Sequence, residues 1–265
     1  MSFRVNTNRL LGMLVVLMTV SWNSAYATNS DTAKESRWAE QVIDGLLDGE
    51  EVWLADADGH EFLGVYTPAD GDSGQAVILV HGIGVHPNWP DVIYPLRAGL
   101  LENGTTTLSL QMPILANEAE QDEYSVLFPE VPGRFAAAVD FLGQQGFKNL
   151  TIVAHSMGAS MAVYYLSQNH PQSVDSLVIV GMGTGTAFVG NVEALADITV
   201  PIFDLYGSQD LVTVLDSAAR RNEVGSSRSG YPYLQGRVEG ANHFFQGHEE
   251  ELVQQVVDWL GARGQ

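Results

Sequence analysis

The chain has 265 residues, with 12 Lys and Arg against 32 Asp and Glu, a formal net charge of −20 and no cysteine. Such a charge repels nucleic acid and anionic headgroups, and the lack of a thiol excludes disulfides, thiolate catalysis and Cys-ligated metals. No Pro- or Ser-rich linker and no internal repeat divides the sequence, so one large domain is expected.

The first 27 residues read as a signal peptide. Arg4 and Arg9 give a positive start, Leu10 to Val20 is apolar but short for a bilayer, and Ala25-Tyr26-Ala27 has the small-x-small form that signal peptidase cuts after. The expected division is a signal peptide over 1–27 and a mature domain over 28–265, exported to the periplasm or the outside of a bacterial cell. Without Arg4 and Arg9 the count is 10 basic against 32 acidic side chains, a formal charge of −22. No stable membrane insertion is expected once the leader is removed.

Asp31 to Gly49 has helical periodicity, with Trp38, Val42, Ile43, Leu46 and Leu47 on one side and acids and polar residues elsewhere. Glu51 to Leu54 and Glu61 to Tyr66 flank Ala55-Asp56-Ala57-Asp58-Gly59-His60, a hairpin signal through its Asp-Gly turn. After Pro68 apolar runs alternate with helical patterns, which predicts a mostly parallel sheet covered by helices. Strands are expected at Gln75–Val80, Thr105–Leu110, Leu150–Ala154, Ser176–Val180, Pro201–Tyr206 and Tyr233–Val238. Helices are expected at Asp91–Asn103, Pro132–Gln145, Met157–Gln168, briefly near Asn191–Ala196, at Val212–Asn222 and at His248–Ala262.

The strand at Gln75–Val80 ends in His81-Gly82-Ile83-Gly84. Glycines there let the chain turn tightly and leave N–H groups free for an oxyanion. The strand at Leu150–Ala154 runs into Ala154-His155-Ser156-Met157-Gly158 and then into a small-residue helix. A serine in a sharp strand-to-helix turn needs small neighbours, and its hydroxyl stands at an exposed tip near the free N–H groups of the helix. A serine also needs a base, and the base an acid. Downstream, Asp210 follows a buried strand and the Gly207 turn, and His243 follows the last strand in Gly240-Ala241-Asn242-His243. Asp204 lies inside its strand and reads as a core acid, and His248 as a solvated first-turn residue.

The elbow, the Gly-x-x-Asp and the Gly-Ala-x-His, in that order, resemble the α/β-hydrolase superfamily, with Ala154 in place of the usual first glycine. The resemblance implies an eight-stranded, mostly parallel sheet flanked by helices with no large cap domain. It implies Ser156 as nucleophile, His243 as base, Asp210 as its acid, and the backbone of Ile83 and Met157 as oxyanion donors, with Gly82 and Gly84 shaping that loop. His81 and His155 are then structural, and His86 and Trp89 line the pocket or brace the loop. Met182 and Phe188 are expected at the pocket rim, with a second, acidic rim over Ile114 to Phe128 carrying Glu118, Glu120, Asp122 and Glu123. His81-to-Pro90, Pro95-Leu96-Arg97 and Thr107-to-Pro113 resemble a group of exported bacterial proteins of this fold with no settled activity. The expected function is hydrolysis of carboxylic esters on a small acyl substrate, with no cofactor and no metal. Thioester or amide hydrolysis is an alternative, as is a non-catalytic envelope binder on the same scaffold.

Overall fold

A computed structural model describes residues 28–70 and 74–262. The expected signal peptide lies outside the described residues. The eight strands are β1 Glu50–Ala55, β2 Glu61–Thr67, β3 Gln75–Val80, β4 Thr106–Leu110, β5 Asn149–His155, β6 Val174–Val180, β7 Ile202–Gln209 and β8 Tyr233–Asn242. They form one sheet in the order β1-β2-β4-β3-β5-β6-β7-β8. β1 and β2 run antiparallel as a hairpin, β2 pairs antiparallel with β4, and the pairs from β4 through β8 are parallel. In the hairpin turn Asp56 Oδ1 accepts from the N–H groups of Asp58 at 3.0 Å and His60 at 2.9 Å, the local side-chain bonding that makes Asp a turn residue.

The continuous apolar run of β3 is explained by burial on both faces. Ile78 and Val80 face a core shared with Phe135, Ala138 and Leu142 of α3 (Val131–Gln144) and Met161 and Leu166 of α4 (Met157–Gln168). Val77 and Leu79 face the opposite way, onto Leu96 and Leu100 of α2 (Ile93–Glu102) and Leu252 and Val256 of α6 (Glu249–Gly261). Parallel strands sandwiched in this way end together, so the loops after β3, β5, β7 and β8 gather along one edge. The remaining long helix, α5 (Val212–Ser226), follows β7.

The first helix, α1, spans Thr32–Asp44 and stops short of Gly49, with Leu47 84% exposed. Its Ala39 and Val42 pack on Leu63 and Val65 of β2. Two of its charged residues, Lys34 and Glu35, are buried, against the expectation of a polar outer face. Lys34 Nζ donates to the Leu115 carbonyl at 2.8 Å, and Glu35 has a partner 99 residues away: Arg134 of α3, fully buried, grips its carboxylate at 2.9 and 3.2 Å. Apolar periodicity has no means of announcing a paired buried charge. Burial alone would raise the Glu35 pKa, but bonds from His60, Arg134 and Ser30 outweigh it and hold the carboxyl below its ordinary value.

Candidate active site

β5 stops at His155 and α4 starts at Met157, so Ser156 alone makes the turn, at φ 56° and ψ −119°. Such a conformation costs an L-residue on the order of 1–3 kcal/mol and persists where the surroundings over-determine it. They do so here. The Ser156 N–H donates to the Val180 carbonyl at 2.8 Å, and a Cβ added at Gly158 would stand 2.3 Å from the His81 carbonyl oxygen. Only a glycine lets α4 approach the end of β3 that closely.

Asp210 sits just past β7. Its carboxylate accepts from the N–H groups of Leu211 at 2.7 Å and Gly207 at 3.3 Å. His243, just past β8, reaches Asp210 Oδ1 through Nδ1 at 2.6 Å and Ser156 Oγ through Nε2 at 2.9 Å. An ionised carboxylate only accepts, so Nδ1 carries the proton and Nε2 is left to accept from the serine hydroxyl. Both His243 and Asp210 are 6% exposed. Three loops far apart in sequence thus bring a hydroxyl, an imidazole and a carboxylate into one hydrogen-bonded chain.

His155 supports this chain from below. Its Nε2–H donates to the His243 carbonyl at 3.0 Å, and the two rings lie 4.8 Å apart. Burial pushes its pKa from the ordinary 6.5 down to about 3, so it places no positive charge beside His243 at neutral pH. His81 is also fully enclosed. Its Nδ1–H donates to the Gly82 carbonyl at 2.7 Å, its Nε2 accepts from the Met112 N–H at 2.9 Å, and burial lowers its pKa to about 3.

Of the oxyanion candidates, Met157 is the first residue of α4, where the N–H has no intrahelical acceptor. The N–H of Ile83 donates to no acceptor among the described residues. Gly82 lies against the Ser156 side chain, and Gly84 turns the loop at φ +70°. The Gly84 carbonyl accepts from Trp38 Nε1 of α1 at 3.3 Å. His86 is sandwiched between Trp38 and Trp89, at 4.9 and 5.4 Å between ring centres, so it braces the loop.

Two expectations about the rim change. Met182 is fully buried in the core with Met157 and Ala187, and the surface near it comes from Gly181 and Gly183 instead. The segment folds its methionine inward. Phe188 is part of an interlocked aromatic group with Phe128 and Tyr164, at 5.2 to 5.4 Å between ring centres. The acidic stretch is a 3-10 helix, Gln121–Glu130, closed by a capping box in which Glu120 and Glu123 bond each other's backbone. It delivers Gln121 to the site.

The crevice itself is small, about 30 Å³, room for about two waters. It is lined by Ser156, Met157, His243, Gly181, Gly183 and Thr184, by Gln121 of the expected acidic rim, and by Ser160, Leu211, Thr213 and Val214, which sequence reasoning did not single out. Ser160 had a readable signal: it stands four residues after Ser156, one turn into the helix that follows it. The other histidines lie elsewhere. His248 bonds Glu251 at 2.7 Å, His60 bonds Glu35 at 3.1 Å and His170 bonds Thr199 at 3.1 Å. Among the described residues no group of three His, Asp or Glu side chains could hold a metal ion, and no helix is long and apolar enough to cross a membrane.

A family model described as a protein of unknown function, DUF3530, matches residues 18–131 and 129–262. No curated protein matches the sequence. Among solved structures, an esterase from Pyrococcus furiosus superposes with a TM-score of 0.65 at 15% identity, covering 82% of this chain and 93% of that one. A dienelactone hydrolase from Anabaena variabilis gives 0.63 at 19% identity, covering 80% and 96%. An alpha-beta serine hydrolase homologue from Coxiella burnetii gives 0.62 at 18% identity, covering 81% and 99%. The sheet order and these superpositions give the chain the α/β-hydrolase fold.

Proposed function

This chain belongs to the DUF3530 family, described as proteins of unknown function, and we propose that it is a serine hydrolase that cleaves carboxylic esters through an acyl-enzyme. One observation carries the reading: the continuous hydrogen-bonded chain Ser156–His243–Asp210, with no side chain between its members.

Ser156 Oγ attacks the ester carbonyl carbon while His243 Nε2 takes the hydroxyl proton. Asp210 holds the Nδ1 tautomer and stabilises the imidazolium that forms. The N–H groups of Ile83 and Met157 take the negative charge of the tetrahedral oxygen. The carbon–oxygen bond to the alcohol then breaks, and His243 returns the proton to the leaving alkoxide. A water molecule attacks the acyl carbon, gives its proton to His243, and Ser156 leaves with that proton restored. Neutral His155 matters at the imidazolium stage, because a second positive ring beside His243 would oppose it.

The ester preference is in keeping with the Pyrococcus furiosus esterase of the same fold; thioesters and amides use the same steps with a different leaving group. The test is turnover of p-nitrophenyl acetate. Wild type should release p-nitrophenol, and Ser156→Ala should lose on the order of 10^6 in kcat. Equal rates in both would remove the serine from the mechanism. We propose further that the enzyme works outside the cytoplasm after cleavage behind Ala27, a reading supported by the basic, apolar and small-x-small succession of residues 1–27. N-terminal sequencing of the exported chain should begin at Thr28, and an intact Met1 end would contradict it.

A further inference from the structure

The crevice beside Ser156 has a polar floor that the mechanism above leaves unused. Ser160, one turn further along α4 and 4% exposed, lines it. Asn191, 2% exposed, donates one amide proton to Ser160 Oγ at 2.9 Å and the other to the Gly183 carbonyl at 2.8 Å. Both Asn191 protons are committed. Ser160 Oγ is therefore fixed as an acceptor, while its own O–H finds no acceptor among the described residues. A buried hydroxyl aligned by a second buried side chain, with its proton unspent, is poised to donate to something that enters the crevice.

The position and size of the crevice say what that is. Ser156 immediately precedes α4, its carbonyl accepts from the Ser160 N–H at 3.4 Å, and both side chains line the crevice, so Ser160 lies a short span from the first few atoms of an acyl group held on Ser156 Oγ. A hydrogen bond takes up about 2.8 Å of that span. The remainder is bridged by the ester carbon and one or two atoms beyond it. Along this helix face the path ends at Tyr164, the next residue on it, which is interlocked with Phe128 and Phe188. From these contacts we infer that the accepted acyl group is short and carries an oxygen on its second or third carbon, as in a small hydroxyacyl or alkoxyacyl ester, and that Ser160 selects it by donating to that oxygen. The inference rests on the serine-hydrolase reading of the same site.

The test compares p-nitrophenyl methoxyacetate with p-nitrophenyl butyrate, two esters of equal chain length that differ by an oxygen in place of a methylene. Intrinsic reactivity differs between them but cancels when the preference of wild type is divided by that of Ser160→Ala. The ratio of kcat/KM values should fall about tenfold in the variant, the size of one lost hydrogen bond. An unchanged ratio would overturn the inference. A second measurement uses wild type alone, in case the variant folds poorly: kcat/KM should drop more than about tenfold from butyrate to octanoate, and octanoate hydrolysed as well as butyrate would overturn the inference. Acetate turnover that depends on Ser156 tells the two failures apart. With it intact, only the acyl preference falls; without it, the serine reading falls and takes the preference with it.

Discussion

Two buried aspartates six residues apart, one inside β7 and one just past its end, show how position along a strand decides what an acid does. Asp204 lies in the middle of β7, fully buried, and its Oδ2 accepts from Arg221 Nε at 2.8 Å, Tyr233 OH at 2.5 Å and Gln235 Nε2 at 2.8 Å. Arg221 is itself fully buried and tied to the Val214 carbonyl and Ser217. Through Oδ2 that carboxylate joins β7 and β8 to α5, while its buried Oδ1 has no hydrogen-bond partner among the described residues; its charge is matched by a permanent cation. Burial and the Asp204 charge also drive the Tyr233 pKa well above its ordinary range, so the phenol stays a donor. Asp210 sits beyond the strand end, where its partners are two backbone N–H groups and an imidazole that can gain or lose a proton. A carboxylate matched to a fixed charge stabilises a fold. One matched to an imidazole at a strand's end is equipped to serve chemistry.

The sharpest way to break this comparison is to neutralise each acid in turn. Asp210→Asn should lower kcat by on the order of 10^4, by favouring the wrong His243 tautomer, with the melting temperature nearly unchanged. A fully active Asp210→Asn enzyme would make the two acids equivalent. Asp204→Ala should do the reverse, leaving a buried Arg221 uncompensated at a cost of about 3–5 kcal/mol in denaturant unfolding, with activity per folded molecule within a few-fold of wild type. Retained stability there would mean that Arg221 finds another partner.

A third effect concerns protons on the rings. Buried His81 and His155 have pKa values lowered to about 3 and His86 to about 4, from the ordinary 6.5. Below 6.5 the unfolded chain binds protons that the folded chain refuses, so stability is complete above that pH and declines as pH falls toward 3. The melting temperature should therefore start to drop below pH 6.5, before the carboxylates titrate, and His86→Asn should flatten part of that slope. A melting temperature constant from pH 7 to 5 would contradict the burial of these rings.

Much of this arrangement was legible in the chain. β3 and α4 coincide with their expected spans, Gln75–Val80 and Met157–Gln168, because apolar runs and glycine turns mark strands and elbows directly. Ser156, Asp210 and His243 could be picked out because each follows a recognisable strand. What escaped depends on distant partners. The buried Glu35 owes its place to Arg134, the inward turn of Met182 to the packing beneath the Gly181 loop, and the poised hydroxyl of Ser160 to Asn191, 31 residues later. Local pattern carries the backbone's path and the strand ends; it does not carry which polar side chains meet across the fold.

The most direct measurement is reaction of the mature protein with a fluorophosphonate, followed by peptide mass spectrometry. The account predicts one adduct, on Ser156, formed rapidly by wild type and slowed strongly in Asp210→Asn. No adduct on Ser156, or an adduct formed equally fast without the Asp210 charge, would contradict it.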